Sequence, residues 1–302
     1  MLLAMFLQVS MHASGKYLLQ TYSFIQTIWA RYFFYLVLVV LALFLQGKNL
    51  VRTSRLRSQI LRGISLLMVT GFYFLSLRRM KIAEANALYM TSPFMVMLLS
   101  TFFLKKKIAS LQWVSIVLGG LGTLIILKPG ADMIQWAALF PLLAALSLAI
   151  NKLYTSSLND TEPILTSLFY TALVGTIVMS ILLPLSWQWP SNAGWAQLAL
   201  LGTLGAAFQF AFVKALSEIP AFLATTFNYT QLVWSIMFGL ILFREYPGIW
   251  TLVGGCIICG CGILSVWIYT SKGNQNSHGL RLGNALSGYP IAGKKPISQD
   301  GP

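Results

Sequence analysis

Gln8, His12 and Lys16 recur every fourth residue in an otherwise apolar stretch. That spacing sets all three on one face of a helix. A second polar cluster, TTFNYTQLVWS from Thr225 to Ser235, interrupts another apolar run. Within it Asn228, Gln231 and Ser235 form a single helical stripe. Amides and an imidazole can hydrogen-bond a small polar solute, and Tyr73, Tyr89 and Trp234 are residue types that stack on a planar one. Bond-breaking chemistry has poorer support. Hydrolysis needs a nucleophile with a base, or a carboxylate pair. The seven acidic residues, Glu84, Asp132, Asp160, Glu162, Glu218, Glu245 and Asp300, all fall at the ends of apolar segments, in connections or in the tail. His12 is the one group within an apolar segment whose unperturbed pKa lies near neutrality. We therefore expect no enzyme.

The elements that position these residues follow from composition. The chain has 302 residues, 57% hydrophobic and 9% charged. Soluble domains carry about a quarter charged residues, so the expected solvent is a lipid bilayer. A span needs about 20 apolar residues. Ten segments of that kind are expected near 1–19, 24–46, 60–78, 84–104, 109–128, 133–155, 162–185, 195–215, 220–243 and 247–270. Residues 271–302 turn polar and basic and read as a disordered tail. Met1 opens directly into an apolar run without the basic start of a cleavable signal.

The net charge of +14 is better explained by topology than by nucleic acid, because cytoplasmic loops collect Lys and Arg. With both termini cytoplasmic, 14 basic residues fall inside and 7 outside. Arg78, Arg79 and Lys81 go against that rule. Cys256, Cys259 and Cys261 sit among Gly254, Gly255, Gly260 and Gly262. We read them as small packing residues rather than a metal site, since no His or carboxylate lies near. No cofactor is expected. The Gly-rich fifth and tenth spans could pack within one chain or between two, which leaves a homodimer open.

The two halves are related by one shift. Gly63 aligns with Gly202, Leu77 with Leu216 and Ala85 with Ala224, each 139 positions apart (202 − 63). Five spans per half make the second half enter the membrane upside down, as in the inverted repeats of secondary transporters. The shift carries His12 onto Asn151, Gln8 onto Ser147, Thr70 onto Gln209, Tyr89 onto Asn228 and Ser92 onto Gln231. Polar residues in spans face a bundle interior or a wet cavity. Hydrogen bonds between helices account for Thr225, Thr226 and Thr230. Matched positions favour cavity lining for His12, Asn151, Asn228 and Gln231. Lys16 and Arg31 could reach the interface by snorkelling, or Arg31 could hold an anion. Pro93 is expected to break the fourth span.

These residues resemble the drug/metabolite transporter superfamily, EamA type. The matching stretches are ARYFF (Ala30–Phe34), LRG (Leu61–Gly63), Ser92–Pro93, Trp113 with Gly119–Gly120, and KALSEIPAFLATTFNYTQLVWSIMFGLILFREYP from Lys214. The resemblance covers residues 1–270. It implies an all-α membrane protein of ten helices in two inverted five-helix repeats, 1–130 and 131–270, with both termini cytoplasmic. It implies transport of small metabolites, amino acids and their relatives among them; one branch takes up S-adenosylmethionine. Lys106 departs from the Glu often found there, whereas its repeat mate is the expected Glu245.

The resulting expectation is a secondary transporter of the inner membrane, working by alternating access around a cavity. His12, Asn151, Gln209, Asn228 and Gln231 would hydrogen-bond the solute, and Tyr73, Tyr89 and Trp234 would pack on it. The rival is a non-transporting scaffold, which has no use for matched polar faces in both halves.

Overall fold

A computed structural model describes residues 1–46, 53–104, 110–127, 134–158, 163–218, 227–261 and 263–264. Those residues are helical, with short turns between helices and no strand among them. The helices are α1 (Leu2–Leu18), α2 (Phe24–Gln46), α3 (Leu56–Leu77), α4 (Ile82–Tyr89), α5 (Ser92–Leu104), α6 (Ser110–Leu127), α7 (Ile134–Leu158), α8 (Ile164–Leu182), α9 (Asn192–Glu218) and α10 (Thr230–Phe243). A further helix, α11, runs over Ile249–Cys261. Four helices are long and apolar enough to cross a membrane by length and composition. Phe44, Leu45 and Ile181 expose their side chains on the outside of the bundle, where lipid replaces water as the solvent. The expected tail, 271–302, lies outside the described residues, as do Lys106, Thr225 and Thr226.

The fourth span is two helices, not one. Pro93 has no N–H for the Tyr89 carbonyl four residues back, and its ring crowds that carbonyl. The chain therefore turns at Met90 and Thr91 and restarts at Ser92. The Thr91 hydroxyl caps the break by donating to the Leu88 carbonyl at 2.7 Å. The second half breaks at the matching place: Tyr229 is a turn before α10, and 229 − 90 is again 139. Counting α4 and α5 as one, the described residues hold ten helices, taken below as spans one to ten.

Helix pairing follows the repeat. Span one (α1) packs on span eight (α9), and span six (α7) on span three (α3). Span two (α2) also packs on span eight, and span seven (α8) on span three. Span one meets span nine (α10), and span six meets span four. Spans two and seven pair with each other, as do four and nine. Advancing every span by five maps this set onto itself, as two inverted halves require.

Matched glycines show how the sequence enforces the pairing. A Cβ on Gly63 would lie 2.9 Å from the Val174 side chain on α8, and one on Gly202 would lie 2.4 Å from the Phe34 side chain on α2. The same residue in each half thus admits the second span of the other half. Between α6 and α11, a Cβ on Gly254 would lie 2.5 Å from the Gly122 carbonyl oxygen. This glycine seam closes within one chain by the close backbone approach that small residues permit.

Candidate functional site

The helix break sets Tyr89 at the end of α4, facing α1 and α3. There His12 stacks on Tyr73, with ring centroids 4.0 Å apart and planes inclined by 29°. Tyr89 meets Tyr73 edge-on at 5.1 Å and His12 edge-on at 6.5 Å. Three residues from three helices thus make one aromatic wall. Gln8 lies one turn before His12 on the same face of α1 and is buried as well.

The wall is buried, and several polar atoms on it and on α10 are unmet among the described residues. His12 Nδ1, the Tyr73 hydroxyl, Gln231 Oε1 and Trp234 Nε1 are all buried without a hydrogen-bond partner. Folded proteins leave few such atoms, because each costs free energy. Four of the eight residues singled out from the sequence therefore retain capacity for a ligand's polar groups. Gln231 reaches across the halves as well: its carbonyl accepts from Asn86 Nδ2 at 2.9 Å, tying α10 to α4. Trp234 packs edge-on against Phe6 at 5.1 Å. Gln209 is buried on α9, one turn beyond Gly205, and Asn228 is half-buried beside the Tyr229 break.

Asn151 is placed differently from its repeat mate His12. Its Nδ2 donates to the Arg62 carbonyl at 2.9 Å and to Ser65 Oγ at 3.1 Å. Its Oδ1 accepts from Thr155. That amide is spent joining α7 to α3, beside an Arg62 guanidinium that itself donates to Thr155 Oγ1, the Ser167 carbonyl and Thr171 Oγ1. Thr230 also differs from expectation: its hydroxyl donates to the Phe227 carbonyl three residues back and not across helices, and Ser235 likewise donates to the Leu232 carbonyl of its own helix.

Neither Lys16 nor Arg31 snorkels. Lys16 is buried at the end of α1, where its ammonium pairs with the Glu245 carboxylate. It also donates to the Met80 carbonyl at 2.8 Å. The second Glu245 oxygen accepts the Ile82 N–H that opens α4, at 3.1 Å. Arg244 just before it adopts a left-handed conformation (φ 53°), and the Glu245 N–H closes on the Gly239 carbonyl. This helix-ending turn aims Glu245 back at α1 and α4. Lys81 adds a bond to the Tyr246 carbonyl at 2.8 Å. One of the three basic residues that defied the loop rule thus has a structural job. Together these contacts seal the side of the bundle on which α1, α3 and α10 end. Sequence reasoning missed the seal because Lys16 and Glu245 lie 229 positions apart; a lone lysine in an apolar span was its signal.

Arg31, two turns into α2, is buried against Thr70 and Tyr32. Thr70 lies one turn before Tyr73 on α3, so Arg31 is held beside the aromatic wall. Gly205 on α9 packs close by: a Cβ there would make ordinary contact, 3.6 Å from the Arg31 Cγ and Nε.

Comparison with known proteins agrees with this architecture. The model of the EamA-like transporter family matches residues 1–128 and again 135–268. An S-adenosylmethionine uptake transporter of Rickettsia conorii is 30% identical over 246 residues, 82% of this chain and 83% of that one. Its counterpart in Rickettsia bellii is 31% identical over 230 residues, 76% of this chain and 78% of its own. A riboflavin transporter of Rhizobium johnstonii is 30% identical over 181 residues, 60% of each chain. A solved crystal structure shares the fold with a TM-score of 0.64 at 14% identity, covering 88% of this chain and 96% of its own.

Proposed function

Since the chain belongs to the EamA-like transporter family, we propose that it is a secondary transporter of a small polar metabolite, with S-adenosylmethionine the first solute to test. It works by alternating access in the cytoplasmic membrane with both termini inside. The observation that carries this reading is the wall of His12, Tyr73 and Tyr89, in which His12 Nδ1 and the Tyr73 hydroxyl are buried without a hydrogen-bond partner among the described residues. A solute with a planar ring and hydrogen-bonding groups would complete it: the ring stacks, and the orphaned atoms of His12, Tyr73, Gln231 and Trp234 are satisfied. Gln209 and Asn228 extend the polar lining toward the side on which α1 begins. The seal of Lys16 and Glu245 closes the opposite side in this conformation.

A second reading has its own support. Riboflavin also has a flat ring system with hydroxyl groups, and a riboflavin transporter is among the relatives. The test is uptake into proteoliposomes of labelled S-adenosylmethionine, riboflavin and a pooled set of amino acids, each with and without a pH gradient. We expect saturable accumulation of S-adenosylmethionine. Accumulation of riboflavin alone would select the second reading. No accumulation of any of them by folded protein would favour a scaffold.

A further inference from the structure

Arg31 is a buried cation for which the span interior offers no anion. None of the seven acidic residues falls in the middle of an apolar segment. Among the described residues the ion pairs are Lys16 with Glu245 and Lys81 with Glu84, both where spans end. Arg31 itself is 5% exposed. Its guanidinium donates to Thr70 through Nη1, while its Nε is buried without a partner. An ion held away from water costs several kcal/mol unless a counter-charge and hydrogen bonds compensate. Arg62 shows what a satisfied arginine looks like here, with three donations to oxygen. Arg31 lacks that set.

Its surroundings indicate what would complete it. The Arg31 guanidinium lies over the Tyr32 ring, 5.3 Å from its centroid. Thr70 holds the guanidinium from α3, one turn before Tyr73 of the aromatic wall. A guanidinium is a planar fork that accepts a carboxylate through two parallel N–H groups.

We propose that Arg31 is the specificity residue for an anionic group on the solute, a carboxylate carried beside the planar ring that the His12–Tyr73 pair stacks. This rests on the transport reading of the same cluster and adds the class of solute: an aromatic compound bearing a carboxylate, not a neutral one. S-adenosylmethionine meets that description through its methionyl carboxylate; riboflavin has no carboxylate.

The experiment compares S-adenosylmethionine with its decarboxylated analogue, in uptake and in competition, for the wild-type protein, Arg31→Gln and Arg31→Lys. Unlabelled competitors are the amino-acid pool and riboflavin. The wild type is expected to prefer the carboxylate form by at least about tenfold. Arg31→Gln abolishes the preference, because uptake of S-adenosylmethionine falls more than that of the decarboxylated analogue. Arg31→Lys, which keeps the charge and guards against a folding defect, retains part of it. Thermal unfolding of each variant verifies the fold, and the wild-type comparison of the two ligands needs no variant. Equal handling of both forms by the wild type overturns the proposal, as does a preference that survives in Arg31→Gln; in each case the transport reading stands. Uptake of riboflavin with no carboxylate-bearing competitor also overturns it and leaves the transporter intact. If folded wild type moves none of the compounds, the transport reading fails and this inference fails with it.

Discussion

Tyr73 stacks on His12 with one face, meets Tyr89 with its edge, and keeps a buried hydroxyl without a partner. The two parts of the side chain can be tested apart. Tyr73→Phe keeps the ring and removes one hydrogen bond, so the half-saturating solute concentration should rise about three- to tenfold. Tyr73→Leu removes the ring as well, forfeiting stacking of about 0.5–1.5 kcal/mol, and should raise it further. Uptake kinetics on protein of verified thermal stability would decide. An unchanged Tyr73→Phe would mean that the hydroxyl faces only protein. At this scale the sequence disclosed residue types better than roles. His12, Tyr73, Gln231 and Trp234 were found because polar and aromatic groups stand out in apolar spans. The amide of Asn151 looks equivalent to His12 by repeat position, but its hydrogen bonds go to α3. A one-dimensional shift locates a residue on a face and is silent about which neighbour uses it.

Helix α4 is short because Pro93 stops it, and its first N–H is held by the carboxylate that pairs with Lys16. Three elements, the ends of α1 and α10 and the start of α4, are therefore locked by one side chain. Glu245→Gln would keep a hydrogen bond but leave the Lys16 cation unpaired. A loss of about 1–3 kcal/mol shifts an open–closed equilibrium by roughly five- to 150-fold. With Cys256, Cys259 and Cys261 replaced by Ala, Ala85→Cys, fully buried in the sealed state, should react with a membrane-impermeant thiol reagent faster in the Glu245→Gln background. Equal rates in the two backgrounds would show that the seal is not the gate. The helices themselves were legible: the first eight expected spans fall within a few residues of those observed, because about 20 apolar residues leave lipid little alternative to a helix, while the start of the ninth and the end of the tenth lie outside the described residues. The helix break was legible from Pro93. The second break at Tyr229 was not, since no proline marks it and only the spatial match with Met90 reveals it.

For the whole molecule, the pairing of spans maps onto itself by a shift of five, yet the two mouths are not chemically equal. Repeat symmetry carries Lys16 onto Thr155 and Glu245 onto Lys106. In sequence, the residues matching the ion pair are therefore a hydroxyl and a second cation, a combination that cannot form one. Thr155 instead accepts from Arg62 at 2.9 Å. Inverted repeats permit two mirror-related states; unequal locks make their populations unequal. The state closed by Lys16 and Glu245 should dominate without solute, with the route from the side on which α1 begins leading to the polar lining. In the same cysteine-free background, Asn228→Cys should be labelled by an impermeant reagent from that side, more slowly once solute is bound, while Ala85→Cys resists labelling from the opposite side. Labelling of Ala85→Cys at rest would reverse the assignment of the dominant state. Absence of labelling at Asn228→Cys from either side would remove the access route, because a half-buried position beside a helix break has to meet water if solute passes it.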